Sequence, residues 1–393
     1  MEALMVYGGN NIFDMTLKKV FEHNPDQFKG AGSSGEFNYA YQITKPPTAL
    51  LGNFRSTPPR NIKIRLSVVT IKITHQDSGA TFNRTVAITA AGLLSIVSRI
   101  LSIRSLTVSI DNPEPVDALI QAVINSKIIP SISAQISAIR LPQLQNIFGT
   151  DVPVQLRSGT VISGPALEIG ANISGLSRSA ADRPASGELP SLNNGTSSNA
   201  TIIGTASAQA INLLIKKLVG SISHRFNKTA NGAFGFAAGV KGRLSAPSPI
   251  IIINNGRGKV KLKISTTLHA GVKAPLIGWK WIPIAVPDIE VTVSHTLPVR
   301  SNKAVIKLTR VDSIRIDLNW PPLFTPVESL IENLLNSVVS HFKGMINDNV
   351  RGKEIAPFNL PNSIPGTAFN AGLNFRELSY YKKSLKSTIK VTA

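Results

Sequence analysis

The chain has 393 residues, more than one hydrophobic core usually serves, so its length predicts two domains. A hydrophobic content of 42% excludes wholesale disorder, and the absence of cysteine excludes disulfides and thiolate chemistry. The formal charge of +20 predicts an anionic partner, whether a nucleic acid, an acidic membrane surface or an acidic protein. The charge is also uneven, because no acidic residue occurs between Glu188 and Asp288.

The first half of the sequence predicts one helix followed by several strands. Residues 11–28 carry apolar side chains at helical spacing and predict the helix. Alternation of apolar and basic residues predicts a long strand over 62–73, and residues 82–90 are its expected antiparallel partner across the turn at 76–79. Residues 93–110 are rich in apolar side chains and fit either a helix or a strand.

The pattern restarts in the second half after a change of composition. Between residues 176 and 204, Ser, Ala, Asn, Gly and Pro dominate, which predicts a linker or a mobile loop. Ser207 then caps a predicted helix, and the strand pattern of residues 260–265 matches that of residues 62–67. Elements of the first half therefore recur in the second.

A longer unit also recurs, consisting of a strand, a Pro-rich turn, a helix and a Leu-Pro pair. It spans residues 105–142 and again residues 313–361, where Thr325 is the expected N-cap of the helix. Residues 232–238 also match residues 35–41 position for position, so three matches in the same order predict a tandem duplication. We expect a first module over residues 1–175 and a second, strongly basic module over residues 205–393.

Each module is expected to be of the α+β class. A helix with a wide apolar stripe needs a sheet to cover it, and long strands with one apolar and one polar face curl around such a helix. The predicted module is therefore a long, strongly bent antiparallel sheet wrapped around amphipathic helices, and it is present twice.

In this order of elements the chain resembles the TULIP superfamily of tubular lipid-binding proteins, which includes the bactericidal/permeability-increasing and lipopolysaccharide-binding proteins. The resemblance covers nearly the whole chain and also rests on the exits Leu141-Pro142 and Leu360-Pro361. The opening Tyr7-Gly8…Ile12-Phe13…Leu17 is most similar to bacterial two-module members encoded beside clostridial neurotoxin genes. The resemblance implies an elongated or boomerang-shaped protein that holds apolar lipid tails between helix and sheet.

The lipid tails would lie along the apolar stripes of the helices. The same side chains could instead complete a solid protein core, and the sequence leaves both alternatives open. The candidate groove residues are Ile120, Val123, Ile124, Leu214, Leu218, Leu330, Leu334 and Val338.

Two further patterns predict contact with lipid headgroups or a membrane interface. Alternation places Lys259, Lys261 and Lys263 on one face of a strand, where they would meet anionic headgroups or simply face solvent. Trp279 and Trp281 would share one face of an extended segment, with the headgroup candidate Lys280 on the other. Tryptophan beside basic residues suits a membrane interface, and the alternative is a core-facing pair.

No catalytic pattern accompanies these features. The six histidines lack metal-ligand spacing, and neither G-x-S-x-G nor a complete phosphate-binding loop occurs. We therefore expect no enzyme activity, no metal and no cofactor. The lysine-bearing strands also lack the interleaved aromatic residues that single-stranded nucleic acid requires, which disfavours a nucleic-acid partner.

The sequence thus predicts a non-enzymatic protein that binds phospholipid or another amphipathic lipid and engages anionic membrane surfaces. The alternative is a structural or accessory protein of a bacterial toxin or secretion assembly, with solidly packed modules and a protein partner. No signal peptide or spanning segment is recognised, which predicts a cytoplasmic protein or export by a signal-independent route.

Overall fold

A computed structural model of the chain consists mainly of β-sheet. The described residues form three large antiparallel sheets, one two-stranded sheet and a few helices. Within these residues, no helix is long and apolar enough to cross a membrane. The described ranges are 2–54, 59–97, 100–111, 113–114, 117–130, 154–163, 165–173, 176, 180–189, 192, 199–232, 235–275, 278–300, 303–316, 324, 327–358 and 372–392.

The first half begins with a strand that the sequence pattern did not predict. Its described elements are β1 (Leu4–Gly9), α1 (Asn10–His23), a 3-10 helix (Pro25–Phe28), β2 (Lys29–Ser34), β3 (Phe37–Ile43), β4 (Thr48–Phe54), β5 (Arg60–His75), β6 (Thr81–Val97), β7 (Ile100–Ile110), α2 (Asp117–Val123), a π-helical turn (Ile124–Ile128), β8 (Val154–Ile162) and β9 (Ala166–Ile173). In β5, Ile62, Ile64 and Leu66 are buried and the residues between them face outward. The apolar–basic alternation therefore forms a half-buried strand.

The second half also begins with a strand and a helix. Its described elements are β10 (Asn199–Ser207), α3 (Ala208–Val219), β11 (Ile222–Asn231), β12 (Ala237–Ala246), β13 (Ile250–Asn254), β14 (Arg257–Ala274), β15 (Gly278–Ile284), β16 (Ile289–Thr296), β17 (Val299–Arg300), β18 (Lys303–Ala304), β19 (Ile306–Val311), α4 (Glu328–Val350), β20 (Glu354–Ile355), β21 (Gly372–Tyr381) and β22 (Ser384–Thr392).

The first-half and second-half sheets have similar strand orders, although the second has two more strands. The first-half sheet runs β2-β3-β5-β6-β7, with β4 also paired to β5. The second-half sheet runs β11-β12-β14-β16-β19-β20, with β13 and β15 also paired to β14. A central sheet, β21-β22-β10-β1-β9-β8, takes three strands from each half. Backbone hydrogen bonds between β1 and β10 at its centre therefore join the two halves.

The second-half sheet curls around α4 as a half-barrel. The helix contacts β11 and β12 at one edge of the sheet and β19 near the other, which a flat sheet would not allow. Its inward stripe includes Ile331, Leu335, Val338, Phe342 and Ile346, all of them buried in one large apolar core. The coarse prediction of a bent sheet on an amphipathic helix is therefore confirmed for this half.

Several local predictions are also confirmed. Strand β5 pairs with β6 across the predicted turn, with Thr74 opposite Thr81. The Ser207 side chain accepts a hydrogen bond of 3.2 Å from the Ala210 backbone N–H and caps α3. The ambiguous residues 93–110 lie largely in strands β6 and β7.

Three predicted boundaries are wrong. The first helix ends at His23, because a separate 3-10 turn forms at Pro25–Phe28. Residues 313–316 are not a strand, since the preceding strand β19 ends at Val311. Helix α4 begins at Glu328, and the predicted N-cap Thr325 lies outside the described residues. Both predicted Leu-Pro exits lie outside them as well.

The predicted linker of residues 176–204 differs from the structure in two of its described stretches. Its last residues belong to β10, a strand inside the central sheet. Residues 180–189, which we call the strap, are bound to the central sheet by side-chain contacts. Asp182 accepts hydrogen bonds from Ser384 and Lys383, and Glu188 pairs with Lys386 at 2.6 Å. The composition typical of loops therefore does not make the strap a free linker.

Candidate functional site

The predicted groove residues of the first half lie in its apolar core. Ile120 and Ile124 are fully buried on the segment formed by α2 and the following π-helical turn, and they pack with the inward side chains of the first-half sheet. The side chain of Val123 lies outside the described part of the structure. The salt bridge of 3.1 Å from Arg84 to the buried Asp117 ties the start of α2 to β6.

The predicted groove residues of the second half divide into two groups. Leu214 of α3 and Val338 of α4 are fully buried. Leu218, Leu330 and Leu334 are only half-buried at the border of the same core. Apolar surface of both helices therefore continues beyond the part that protein covers.

The half-buried leucines of α4 lie on a helix face that is turned toward β11. This face carries Leu330, Leu334, Ser337 and His341, whose spacing of four, three and four residues keeps them in one row. Strand β11 pairs only with β12 in the described part of the chain, so it is an edge strand there. We call the boundary between β11 and α4 the seam.

Side chains meet along the whole seam. A Cβ added at Gly232, next to the end of β11, would lie 3.1 Å from Leu330 Cδ1, so the helix starts close to the strand. Lys228 Nζ donates a hydrogen bond of 2.9 Å to Ser337 Oγ. The His224 and His341 rings lie 4.9 Å apart between centroids. The cross-strand neighbours of His224 and Lys228 are Leu244 and Val240, which are apolar and buried.

Two histidines of the second half have depressed pKa values. Burial, with the nearby His341 and Lys228, lowers the pKa of His224. Burial also lowers the pKa of His295, which shares a hydrogen bond with Tyr380 between β16 and β21. A histidine with a lowered pKa in the folded state favours the neutral ring. The unfolded chain therefore binds more protons below about pH 6.5, and folding stability is lost as the pH falls.

We predict that the melting temperature decreases between about pH 7.5 and about pH 5, and that His224→Gln reduces this decrease. This substitution removes the titrating imidazole and keeps a polar side chain at the seam. Asn227→Gln, at an exposed position of the same strand, is the control and should leave the pH profile unchanged, because it removes no titrating side chain. Calorimetry across the pH range measures the effect. Superimposable profiles for His224→Gln and the unmodified chain would contradict it.

The predicted row of three lysines on β14 is present, but two members are paired. Lys259, Lys261 and Lys263 alternate with buried apolar residues and face outward. Lys261 forms a salt bridge with Glu290, and Lys263 forms one with Asp288 at 2.6 Å. Glu290 belongs to the neighbouring strand β16 and Asp288 directly precedes it, so acids from outside the acid-free interval neutralise two of its lysines. Lys259 remains exposed.

Trp279 and Trp281 lie on the outward face of β15. Their rings stack with centroids 5.2 Å apart and planes at 16°. Trp281 packs over Gly271 of β14, where an added Cβ would lie 2.7 Å from the indole ring. Trp279 is 36% exposed, so the pair is not part of the core. Lys280 is exposed and, as the alternation predicts, belongs to the opposite face of the strand.

The structure adds residues to this surface that the sequence did not single out. Lys241 of β12 lies over the Trp281 ring, with its Nζ 4.2 Å from the centroid. Lys273 of β14 is directly opposite Trp279 in the strand register. Gly239, opposite Gly271, leaves room for both indole rings. Only the pairing register brings these residues together, and the sequence spacing does not reveal it.

The chain is also similar to solved structures. No protein-family model matches it, and no curated protein matches it in sequence. It is similar to the crystal structure of lipopolysaccharide binding protein, at 12% identity and a TM-score of 0.43, covering 99% of this chain and 98% of that chain. It is likewise similar to P47 of Clostridium botulinum E1, at 10% identity and a TM-score of 0.48, covering 98% of both chains. P47 from Clostridium botulinum A2 gives 11% identity and a TM-score of 0.48, covering 100% of this chain and 97% of that chain.

Proposed function

We propose that the chain is a non-enzymatic lipid-binding protein that holds acyl chains between its helices and its curled sheets. The proposal rests on one observation: protein covers only part of the apolar stripe of α4. Ile331, Leu335 and Val338 are buried, while Leu330 and Leu334 stay half-exposed beside the edge strand β11. Burying a fully exposed side chain of this size contributes roughly 1.5–3 kcal/mol, and an acyl chain would supply the part that these half-buried leucines still lack.

The seam is the route by which an acyl chain reaches this interior. Edge strand β11 is paired on one side only in the described sheet, and across the seam the Lys228–Ser337 hydrogen bond joins it to α4. An exposed hydrogen bond of this kind contributes only about 1 kcal/mol, so this polar contact costs little to break when the strand separates from the helix. Leu330 and Leu334 line the opening that results.

Anionic headgroups would be held by exposed cations of the second half. The net charge of +20 and the acid-free interval between Glu188 and Asp288 support this part of the proposal. Each exposed lysine contributes roughly 1 kcal/mol near an anionic surface at physiological salt. Lys259 is a better candidate than Lys261 or Lys263, because those two already have carboxylate partners.

The two halves are proposed to be copies of one module. The similar strand orders support this view, as does the strand–helix start of each half at β1–α1 and β10–α3. The edge strands are also protected in the same way. Asp14 of α1 accepts a hydrogen bond of 2.6 Å from Ala49 N on β4, and Asn212 of α3 bonds both backbone groups of Ile251 on β13. A duplicated module would provide an acyl-binding interior in each half.

Lipid extraction tests the proposed function. Protein purified without detergent is extracted with organic solvent, and the extract is analysed by mass spectrometry beside an equally treated control protein. We expect phospholipid or another two-chain amphiphile in the extract, and uptake of fluorescent phospholipid by the delipidated chain. Neither bound lipid nor uptake, together with a stoichiometric protein partner from the native source, would overturn the proposal in favour of an accessory assembly protein.

A further inference from the structure

We propose that one outward face of the second-half sheet docks onto an anionic lipid bilayer. This face, which we call the tryptophan face, is formed by β11, β12, β15 and the last part of β14. The inference rests on the proposed lipid binding and deepens it by naming the docking surface and its partner. The residues that define the tryptophan face are Arg225, Lys241, Arg243, Lys273, Trp279 and Trp281.

The charge of this face is unbalanced. All of its strands lie between Glu188 and Asp288, so none of them carries an acidic residue. Arg225 and Arg243 are direct cross-strand partners and both are exposed. Like charges in directly opposite positions destabilise a sheet, so a negatively charged surface outside the protein would relieve an existing repulsion.

The exposed aromatic residues of the tryptophan face lie together at one end of the sheet. Trp279 lies opposite Lys273, and Lys273 lies opposite Ala237. The residue before Ala237 is Phe236, which is 37% exposed, similar to the 36% of Trp279. This end of the sheet therefore presents two partly exposed aromatic rings beside a lysine.

A bilayer interface fits these rings better than a nucleic acid does. Trp281 is covered by Trp279, Gly271 and Lys241, so only Trp279 could stack with a base, whereas a single strand is bound by a series of stacking aromatic rings. Indole rings in contact with lysines are instead suited to the headgroup region, where the apolar ring and the polar N–H both find partners. Lysines beside them attract anionic lipids over about one Debye length.

Tryptophan fluorescence tests the docking directly. The chain has three tryptophans, so Trp320→Phe leaves only the stacked pair as the reporter. Vesicles contain brominated phosphatidylcholine, alone or with roughly one third phosphatidylglycerol. We expect quenching and a blue shift with the anionic vesicles and neither effect with the zwitterionic ones. Absence of quenching by both vesicle types would overturn the proposal.

Charge variants identify the face. Lys241→Gln with Lys273→Gln should weaken partitioning into anionic vesicles by roughly 25-fold, because each lysine contributes about a factor of five. The matched control, Lys45→Gln with Lys72→Gln, removes the same charge from exposed positions of the first half. Equal weakening by the two double variants would overturn the proposal, because it would indicate attraction by net charge alone. Stronger competition by a single-stranded oligonucleotide than by phosphatidylglycerol would also overturn it.

Uptake of fluorescent phospholipid from detergent micelles separates this inference from the proposed function. Lys241→Gln with Lys273→Gln should take up lipid at the rate of the unmodified chain, since neither side chain faces the interior. Lost vesicle binding with normal uptake supports the tryptophan face as a docking surface. Normal vesicle quenching with no uptake by any variant would instead contradict only the acyl-chain interior.

Discussion

A covalent bridge across the seam is expected to reduce phospholipid uptake to the level of a control without lipid-binding activity. Cysteines replace Lys228 and Ser337, whose side chains meet at 2.9 Å, and a short bismaleimide joins them. The chain has no cysteine of its own, so the reagent has no other thiol target. Uptake through the seam requires β11 to separate from α4, and the bridge prevents this separation. Fluorescent phospholipid transfer into the delipidated chain measures the effect.

The matched control attaches the same helix to the sheet near its other edge. Lys343 Nζ donates a hydrogen bond of 2.6 Å to the Asp312 carbonyl, so Lys343→Cys with Asp312→Cys places a bridge between α4 and the end of β19. This bridge should leave uptake unchanged, as should the seam variant before the reagent is added. Normal uptake by the bridged seam variant would show that lipid enters elsewhere. No uptake by any of the proteins would contradict the lipid-binding function itself.

Local sequence signals predicted the elements that depend on neighbouring residues. The alternation in β5 and the Ser207 cap of α3 both result from interactions within a few residues, so they can be recognised without a fold. The β1 strand was not predicted, because its short sequence carries little alternation and its pairing partners β9 and β10 are more than 150 residues away. Its position at the centre of a sheet depends on those distant strands.

The candidate site was predicted less completely, because its chemistry depends on strand register. The sequence placed Lys261 and Lys263 on an outward face, but only the pairing of β14 with β16 brings Glu290 and Asp288 beside them. Likewise, the two tryptophans are obvious in the sequence, whereas Lys241 joins them through a cross-strand alignment. Period-two patterns identify the face of a side chain and say nothing about its neighbours on other strands.

The strap should contribute measurably to stability through one buried carboxylate. The Glu168 side chain is only 4% exposed, and Arg183 of the strap contacts both of its carboxylate oxygens at 2.7 Å. Removing one partner of a buried ion pair typically costs about 3–5 kcal/mol, because the other charge remains buried without compensation. Arg183 itself is 62% exposed, and water can partly replace it, so we expect Arg183→Ala to cost about 2 kcal/mol.

A surface pair provides the matched control for this prediction. Arg310 lies 3.0 Å from Asp312, and both side chains are largely exposed, so Arg310→Ala should cost clearly less stability than Arg183→Ala. Urea unfolding, monitored by circular dichroism, measures the free energy of unfolding of both variants. An equal, small loss for Arg183→Ala and Arg310→Ala would show that the strap does not stabilise the central sheet.

A second substitution determines whether the buried charge is the cause. Glu168→Gln removes the negative charge and retains a side chain of the same shape on β9. In the Arg183→Ala background it should restore about half of the lost stability, because a neutral amide costs much less to bury than an unpaired carboxylate. In the unmodified chain the same change should destabilise, since Arg183 then loses its partner. The effect of Glu168→Gln on stability is expected to have opposite signs in the two backgrounds only if Glu168 and Arg183 act as a pair. Additive losses would instead mean that the strap is held by its apolar residues Ala181 and Leu189.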